Sequence, residues 1–526
     1  MNAKWVTLPC ALAFALSANA AVLPSHQTQS DWYADGQAKL QMKIKQKYGQ
    51  RAKNVILFVG DGMGISTLTA ARILQGQRQG KTGEEGYLSF ESFPHTALVK
   101  TYNVDAQTPD SAGTMTAMIS GLKTDVGVIG VDEDIARGNC DTMNGNQVAT
   151  ALELAEIKGM ATGIISTARI THATPAATYA KSADRNWEDI SDMPDDAKAK
   201  GCKDIADQLV NFESNLEQRY LGIDVDGIDV VFGGGRRHFL PKDEKANSPD
   251  AKSKVEGDRT DNRNLVTEWT AKYSKGVYVF DQKGFDAIDT SKTKQVFGLF
   301  NESHMQYEAD RKNDKAGEPS LSEMTAKAID ILKQDPDGFF LTVESGRIDH
   351  AHHAGNAFNA LNDTIEFSNA VKKAYDMTNK EDTLIIVTAD HGHVFTMGGY
   401  PKRGNPILGK VVGIGKTEPT LAADGKPYTT LSYMNGRGFH DFADETDADV
   451  VYGKDKVAGR AVTLANIDTT KPGFHQEAHV PRSSETHAGE DISLHATGPG
   501  AQMAQGVIEQ SVVFHMIANA LGFKSE

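Results

Sequence analysis

Carboxylates and imidazoles gather in this sequence where apolar runs end. Asp61 follows residues 54–60 (NVILFVG). Glu344 closes residues 338–344 (GFFLTVE), with Asp349, His350, His352 and His353 just behind it. Asp390, His391 and His393 follow residues 383–389 (TLIIVTA). Seven of the sixteen histidines, at 172, 350, 352, 353, 391, 393 and 487, fall in segments of this kind. Mixed His and Asp ligands suit Zn2+, and an all-oxygen set suits Mg2+. Asp349 and His353 are four apart, so a helix through them would turn both toward one ion. Any one Asp-His pair reads as an ion pair or a cap; the recurrence at three strand ends is what points to a metal centre.

A nucleophile is available as well. Thr108-Pro109-Asp110-Ser111-Ala112-Gly113 leads into the helical pattern TMTAMIS. A serine there sits at the positive end of a helix dipole, which favours an alkoxide and a bound phosphate. On its own, Asp110-Ser111 is an ordinary N-cap, and a neutral serine needs activation, which a zinc ion can give. Residues 167–175 (TARITHATP) bring His172 and Thr174 together after another apolar run, and Arg185 follows ten residues later. A guanidinium matches two phosphate oxygens, though a lone arginine is more often a plain surface residue. His487 stands by itself in SETHAGE, where a structural role would serve as well. Gly233-Gly234-Gly235-Arg236 lacks the spacing of a phosphate-binding P-loop and reads as a turn, and Ser111 sits in no G-x-S-x-G elbow.

These side chains need a large scaffold, and 526 residues at 39% hydrophobic provide one. Five nearly continuous apolar runs, 54–60, 162–167, 228–233, 338–344 and 383–389, read as strands buried on both faces. Helical patterns at 111–120, 147–158, 321–333 and 358–377 alternate with them. The expected fold is therefore α/β, with a large, mostly parallel central sheet covered by helices on both faces. Ligands in such sheets bind beyond the carboxyl ends of the strands. Residues 234–300 and 396–480 break the rhythm and read as insertions into a single domain spanning 21–526, the second an exposed substructure near the site.

Residues 1–20 read as an export signal: Lys4, an apolar run over 6–16, and Ala18-Asn19-Ala20 before a cut at Ala21. No other stretch is apolar enough to span a bilayer. The formal charge is −15, one unit more negative once Lys4 leaves. Such a surface repels nucleic acid and anionic lipid, and any phosphate site on it needs strong local positive charge. Cys10 leaves with the signal. Cys140 and Cys202 remain, an even pair that reads as one disulfide in an exported protein, with two buried thiols as the alternative.

Taken together, Asp61-Gly62-Met63-Gly64, Asp110-Ser111-Ala112, His172-Ala173-Thr174-Pro175, Arg185-Asn186-Trp187, Glu344 with Arg347 through His353, Thr388-Ala389-Asp390-His391 and Glu485 through Asp491 resemble the motifs of the alkaline phosphatase family, in order, from about residue 50 to 523. His172 and His350 place the resemblance nearer the animal-type branch than the enterobacterial one, which has Asp and Lys there. Val394-Phe395, Gly398-Gly399-Tyr400 and the Cys140/Cys202 pair are also animal-like. The resemblance implies hydrolysis of phosphate monoesters through a phosphoserine at Ser111. It implies one zinc ion held by Asp349, His353 and His487, and a second by Asp61, Asp390 and His391. Magnesium would take Asp61, Thr174 and Glu344. Arg185 would grip phosphate, His172, His350 and His393 would support ligands from behind, and the protein would be a homodimer acting in the periplasm or outside the cell. The animal enzymes' calcium site uses acidic residues in the segment corresponding to 300–318; Asn301 replaces one here, and no fourth metal is expected.

Related readings are a phosphodiesterase or another hydrolase of the superfamily, and a non-catalytic metal- or phosphate-binding protein. No C/S-x-P-x-R sulfatase motif occurs at Ser111, and Thr174, Glu344 and Arg185 together favour monoesters.

Overall fold

The computed structural model describes residues 23–44, 51–461 and 464–523; the expected export signal lies outside the described residues. Eight strands, β1 (Asn54–Gly60), β2 (His95–Lys100), β3 (Ala161–Arg169), β4 (Val230–Gly234), β5 (Val277–Val279), β6 (Val296–Leu299), β7 (Phe339–Ser345) and β8 (Thr383–Ala389), join the strands Ile492–Thr497 and Gln505–Glu509 in one ten-stranded sheet. Its order is Gln505–Glu509, β2, Ile492–Thr497, β8, β1, β7, β3, β4, β6, β5. Only Ile492–Thr497 runs against its neighbours β2 and β8; every other pairing in the sheet is parallel. The five apolar runs are β1, β3, β4, β7 and β8. They form the sheet's centre, where Val55 through Val59 are fully buried. Burial on both faces is why those runs are continuously apolar instead of alternating.

Part of 234–300 departs from its reading as an insertion. It supplies β5 and β6, which complete one edge of the sheet. Strands of three and four residues are too short to show a period, so the sequence hides them. Residues 396–480 stand apart from the central sheet. There the strands Phe395–Met397, Leu431–Gly436 and Ala478–Pro481 form a small sheet, and His440–Asp441 pairs with Phe474–His475.

Register brings the chemistry to one edge. Val59 is paired with Glu344 across β1 and β7, and Gly60 with Ala389 across β1 and β8. Asp61, Glu344 and Asp390 therefore emerge together at the carboxyl ends of three adjacent parallel strands. A two-residue antiparallel pairing sets His487 opposite His393. That contact carries His487 to the same edge from a distant segment.

The helix Ser111–Ser120 starts where Asp110, in extended conformation, accepts from the Gly113 N–H, and it stops at left-handed Gly121. All ten of its residues are buried, so the helix has no freedom to tilt Ser111 away. The long helix Ala357–Met377 begins at an Asn356 cap and packs against the helices Leu321–Leu332 and Ile65–Arg78.

Candidate active site

Ser111 Oγ lies 3.1 Å from His391 Nε2 and 3.4 Å from Asp61 Oδ1. His391 Nε2 is in turn 3.4 Å from Asp61 Oδ1 and 3.3 Å from Asp390 Oδ2. Asp61, Asp390 and His391 are all fully buried, and one ligand atom from each lies within 4.8 Å of the others. Asp390 is fixed by the N–H groups of Gly62 (2.9 Å) and His391 (2.8 Å) on its other oxygen. Gly62 is required there: its φ is +69°, and a Cβ would stand 2.3 Å from His393 Nε2.

A second group converges on Asp349. Its Oδ1 is 2.8 Å from His393 Nε2 and 3.3 Å from the Nε2 atoms of both His353 and His487. The Nε2 atoms of His353 and His487 face each other at 3.1 Å. Their Nδ1 atoms donate to the carbonyls of Glu485 (2.7 Å) and Pro109 (2.8 Å), which leaves the facing nitrogens as lone-pair donors to a cation. Asp349 and His353 do share one helix, Arg347–His353, as their spacing suggested.

The third group is oxygen-rich. Asp61 Oδ2, Thr174 Oγ1 and Glu344 Oε1 are buried and have no hydrogen-bond partner among the described residues. Unpaired buried oxygens are costly unless a cation or water meets them, and this donor set suits a hard divalent ion. Ser166, which lies opposite Glu344 in the β3–β7 register, donates to the other Glu344 oxygen.

The electrostatics of these groups favour bound cations. Burial, then the charges of Asp390, Asp349 and Glu344, raise Asp61 well above the carboxylate range. Burial likewise lifts Glu344 to about 7. For Asp349 burial acts upward, but the imidazoles of His353, His393 and His487 prevail and hold it well below the usual range. Burial pushes His353 down to about 4 and His391 well below its ordinary value. Buried carboxylates crowded in this way repel one another until positive charge is supplied.

Arg185 extends from a backbone tied to the Gly127 carbonyl at 2.8 Å and pairs with Asp110 Oδ2 at 3.0 Å. Its other terminal nitrogen is 3.2 Å from His172 Nε2. His172 and His350 sit edge to face, their centroids 5.4 Å apart. His393 bridges Asp349 and Glu485. The nucleophile, arginine and metal-ligand residues named from the sequence thus meet around one sheet edge; a ring nitrogen of His172 lies within 4.8 Å of carboxylate oxygens of Asp61 and Glu344, and His350 stands beside His172. The Cys140–Cys202 disulfide is formed.

Four participants escaped the sequence reading. Glu485 clamps His393 at 2.6 Å. His304 stacks on His350 with centroids 4.0 Å apart, and Arg169 and Glu188 stand behind it. His304 follows β6, so its position at a strand end was the one available signal, hidden with the strand itself. In the segment 300–318, Glu318 is taken by the Asn301 amide and the Gln306 N–H.

Comparison with known proteins accords with this geometry. The family model for alkaline phosphatase matches residues 52–523. The tissue-nonspecific alkaline phosphatase of Rattus norvegicus is 40% identical over 507 residues, 95% of this chain and 90% of that protein. The alkaline phosphatase of Gadus morhua is 42% identical over 472 residues, 89% of this chain and 92% of that protein. Among solved structures, Thermus thermophilus alkaline phosphatase superposes with a TM-score of 0.63 at 23% identity, covering 96% of this chain and 97% of that one, a likeness of fold. At such identity and coverage to animal enzymes, the chain belongs to the alkaline phosphatase family, on its animal-type branch.

Proposed function

We propose that this phosphatase hydrolyses phosphate monoesters through a covalent phosphoserine at Ser111, with two zinc ions and one magnesium ion bound. Asp349, His353 and His487 would hold one zinc, Asp61, Asp390 and His391 the other, and Asp61, Thr174 and Glu344 the magnesium. When bound, these ions supply the positive charge that favours a deprotonated serine oxygen and an alkoxide leaving group. The carrying observation is the position of Ser111 Oγ, at 3.1 Å from His391 Nε2 and 3.4 Å from Asp61 Oδ1.

The chain's own groups do the positioning. The capped helix fixes Ser111 for attack on phosphorus: its P–O bond forms as the ester P–O bond breaks, its proton goes to solvent, and the leaving oxygen takes a proton from solvent and departs as the alcohol. Water then attacks phosphorus, frees Ser111 and releases inorganic phosphate. Arg185, held by Asp110, grips two phosphoryl oxygens with its planar fork. Phosphoryl transfer is mostly a matter of such positioning and charge stabilisation.

Export to the periplasm or exterior is supported by the disulfide. No helix among the described residues is long and apolar enough to cross a membrane. A homodimer is supported by the family, and by Tyr400, Ile414 and Leu421 standing exposed on the 396–480 substructure.

The test combines turnover of nitrophenyl phosphate and its methyl diester, metal analysis before and after chelation, and acid trapping of phosphoenzyme. Monoester preference, chelator-sensitive activity and a trap lost in Ser111→Ala are expected. Full activity in Ser111→Ala would end the proposal.

A further inference from the structure

A cavity of about 390 Å³ opens on the flank of the protein, and neither Ser111, Arg185 nor any of the metal-site residues lines it. Its walls are the turn at Cys140–Thr142, the loop 200–203 and the helix Phe212–Arg219. The Cys140–Cys202 disulfide ties two of those walls together, with 6.0 Å between their Cα atoms, and Lys200 crosses the same rim to Asp141 at 2.7 Å. The cavity is thus braced, and it is large enough for a monosaccharide-sized ligand.

Its lining is chemically one-sided. Lys181, Lys200, Lys203 and Arg219 face it, and no carboxylate is among its described lining residues. Beneath the floor, Lys181 and Arg219 share the single carboxylate of Glu153, at 3.1 and 2.5 Å. Lys203, on the rim, has no ion pair among the described residues. Four cations against the carboxylates of Glu153, Asp141 and Asp196 leave the recess net positive in a chain of charge −15. Burial pushes the Lys181 ammonium down to about 8 in spite of Glu153, so its charge is held in the floor at a cost that an anion would relieve.

The carboxamides of Asn144, Gln147, Asn215 and Gln218 also line the cavity. A carboxamide both donates and accepts, which is the pairing that sugar hydroxyls need. The Gln208 amide also clamps both the N–H and the C=O of Lys181, at 2.8 and 2.9 Å, and so sets the floor rigidly.

We propose that this cavity is a binding site for a small hydroxylated anion, a sugar bearing one oxyanion group, with Lys181, Lys200, Lys203 and Arg219 meeting the charge and the carboxamides meeting the hydroxyls. The site is separate from the phosphatase centre, and the inference does not depend on the metal assignment there. The floor does adjoin the catalytic segment, since Lys181 precedes Arg185 by four residues in a strip paired at Ser182 with Ile129.

The test is calorimetric titration of the metal-loaded full chain with glucose 6-sulfate, a probe that carries both features and is no phosphate ester. Inorganic sulfate and glucose serve as the half-probes. Lys200 and Lys203 are on the rim, so K200E/K203E is expected to fold and to keep wild-type turnover of nitrophenyl phosphate. K315E/K416E gives the same change of net charge at exposed sites elsewhere. Saturable binding of one glucose 6-sulfate is expected, weakened about tenfold or more in K200E/K203E but not in K315E/K416E. Absence of saturable binding, or equal binding by both double variants, would overturn the site. Sulfate alone binding as tightly as the sugar sulfate would overturn the assignment of a hydroxylated ligand.

Discussion

Asp110 and Arg185, 75 residues apart in the sequence, form a 3.0 Å ion pair while the same Asp110 caps the helix that presents Ser111. One carboxylate therefore aims both the nucleophile and the guanidinium. Its other oxygen takes the Asn103 amide and the Gly113 N–H, at 2.9 and 3.1 Å, so it cannot swing away. Arg185→Ala removes a charge-assisted fork without touching the imidazoles and carboxylates of the metal groups. We expect kcat/KM for nitrophenyl phosphate to fall about 10- to 100-fold with zinc content unchanged. Steady-state kinetics with metal analysis on the same sample checks this, and wild-type kinetics would remove Arg185 from phosphate binding.

His393 stands between Glu485 and Asp349, and burial alone would keep it neutral; the two carboxylates outweigh burial and raise it to about 10. Glu485 also accepts from the Val394 N–H at 2.8 Å, which locks its orientation. Such a partner behind a ligand fixes the ligand's direction and basicity. Glu485→Gln keeps the shape and loses the charge. Its expected effect is a zinc affinity lowered about tenfold, with restored activity at excess zinc. Competition with a chelator measures it, and a variant that retains zinc as the wild type does would leave His393 without that role.

What the sequence makes legible follows burial. β1, β7 and β8 are buried on both faces, so their apolar runs mark them, and the ligands stand just past their ends. β2 alternates with half its residues toward solvent, and β5 is three residues long; neither produces a run. The site is legible in the same way, from strand ends and from family motifs. Asp110 pairing with Arg185, or Glu485 reaching His393 across 92 residues, depends on how segments pack, and no local pattern encodes that.

The disulfide closes a loop of 62 residues that contains His172, Thr174 and Arg185. Closing a loop of that length restricts the unfolded chain by about 4 kcal/mol in the chain-entropy account. Yet Arg185 is anchored by Asp110 and by the Gly127 carbonyl, both outside the bridge. Cys140→Ser with Cys202→Ser should therefore lower the thermal midpoint by several degrees while kcat/KM at moderate temperature stays near wild type. Calorimetry and kinetics on the double variant decide it; a loss of activity without a loss of stability would mean that the bridge shapes the site directly.

A pH effect is expected at the opposite end of the sheet from the candidate metal groups. Asp229, just before β4, accepts from the Thr162 N–H at 2.9 Å and lies beside Glu156, whose Oε2 is buried without a partner. Burial raises Asp229 to about 8, with Asp226 and Asp335 adding to it, while the Thr162 N–H and Lys294 pull the other way. Burial and then the Asp229 charge raise Glu156 well above its ordinary value. The native state thus holds a proton that the unfolded chain gives up near pH 4. Unfolded protein binds fewer protons between about pH 4 and 8, so stability from this group is full below that window and declines as pH rises through it. Asp229→Asn is always neutral, and its carbonyl oxygen can still accept from Thr162. Relative to wild type, the variant should gain stability with pH, on the order of 4 kcal/mol between pH 5 and pH 8.5. Thermal or urea midpoints of both proteins at the two pH values measure the gap, and a gap that does not widen would show that the native Asp229 carries no proton.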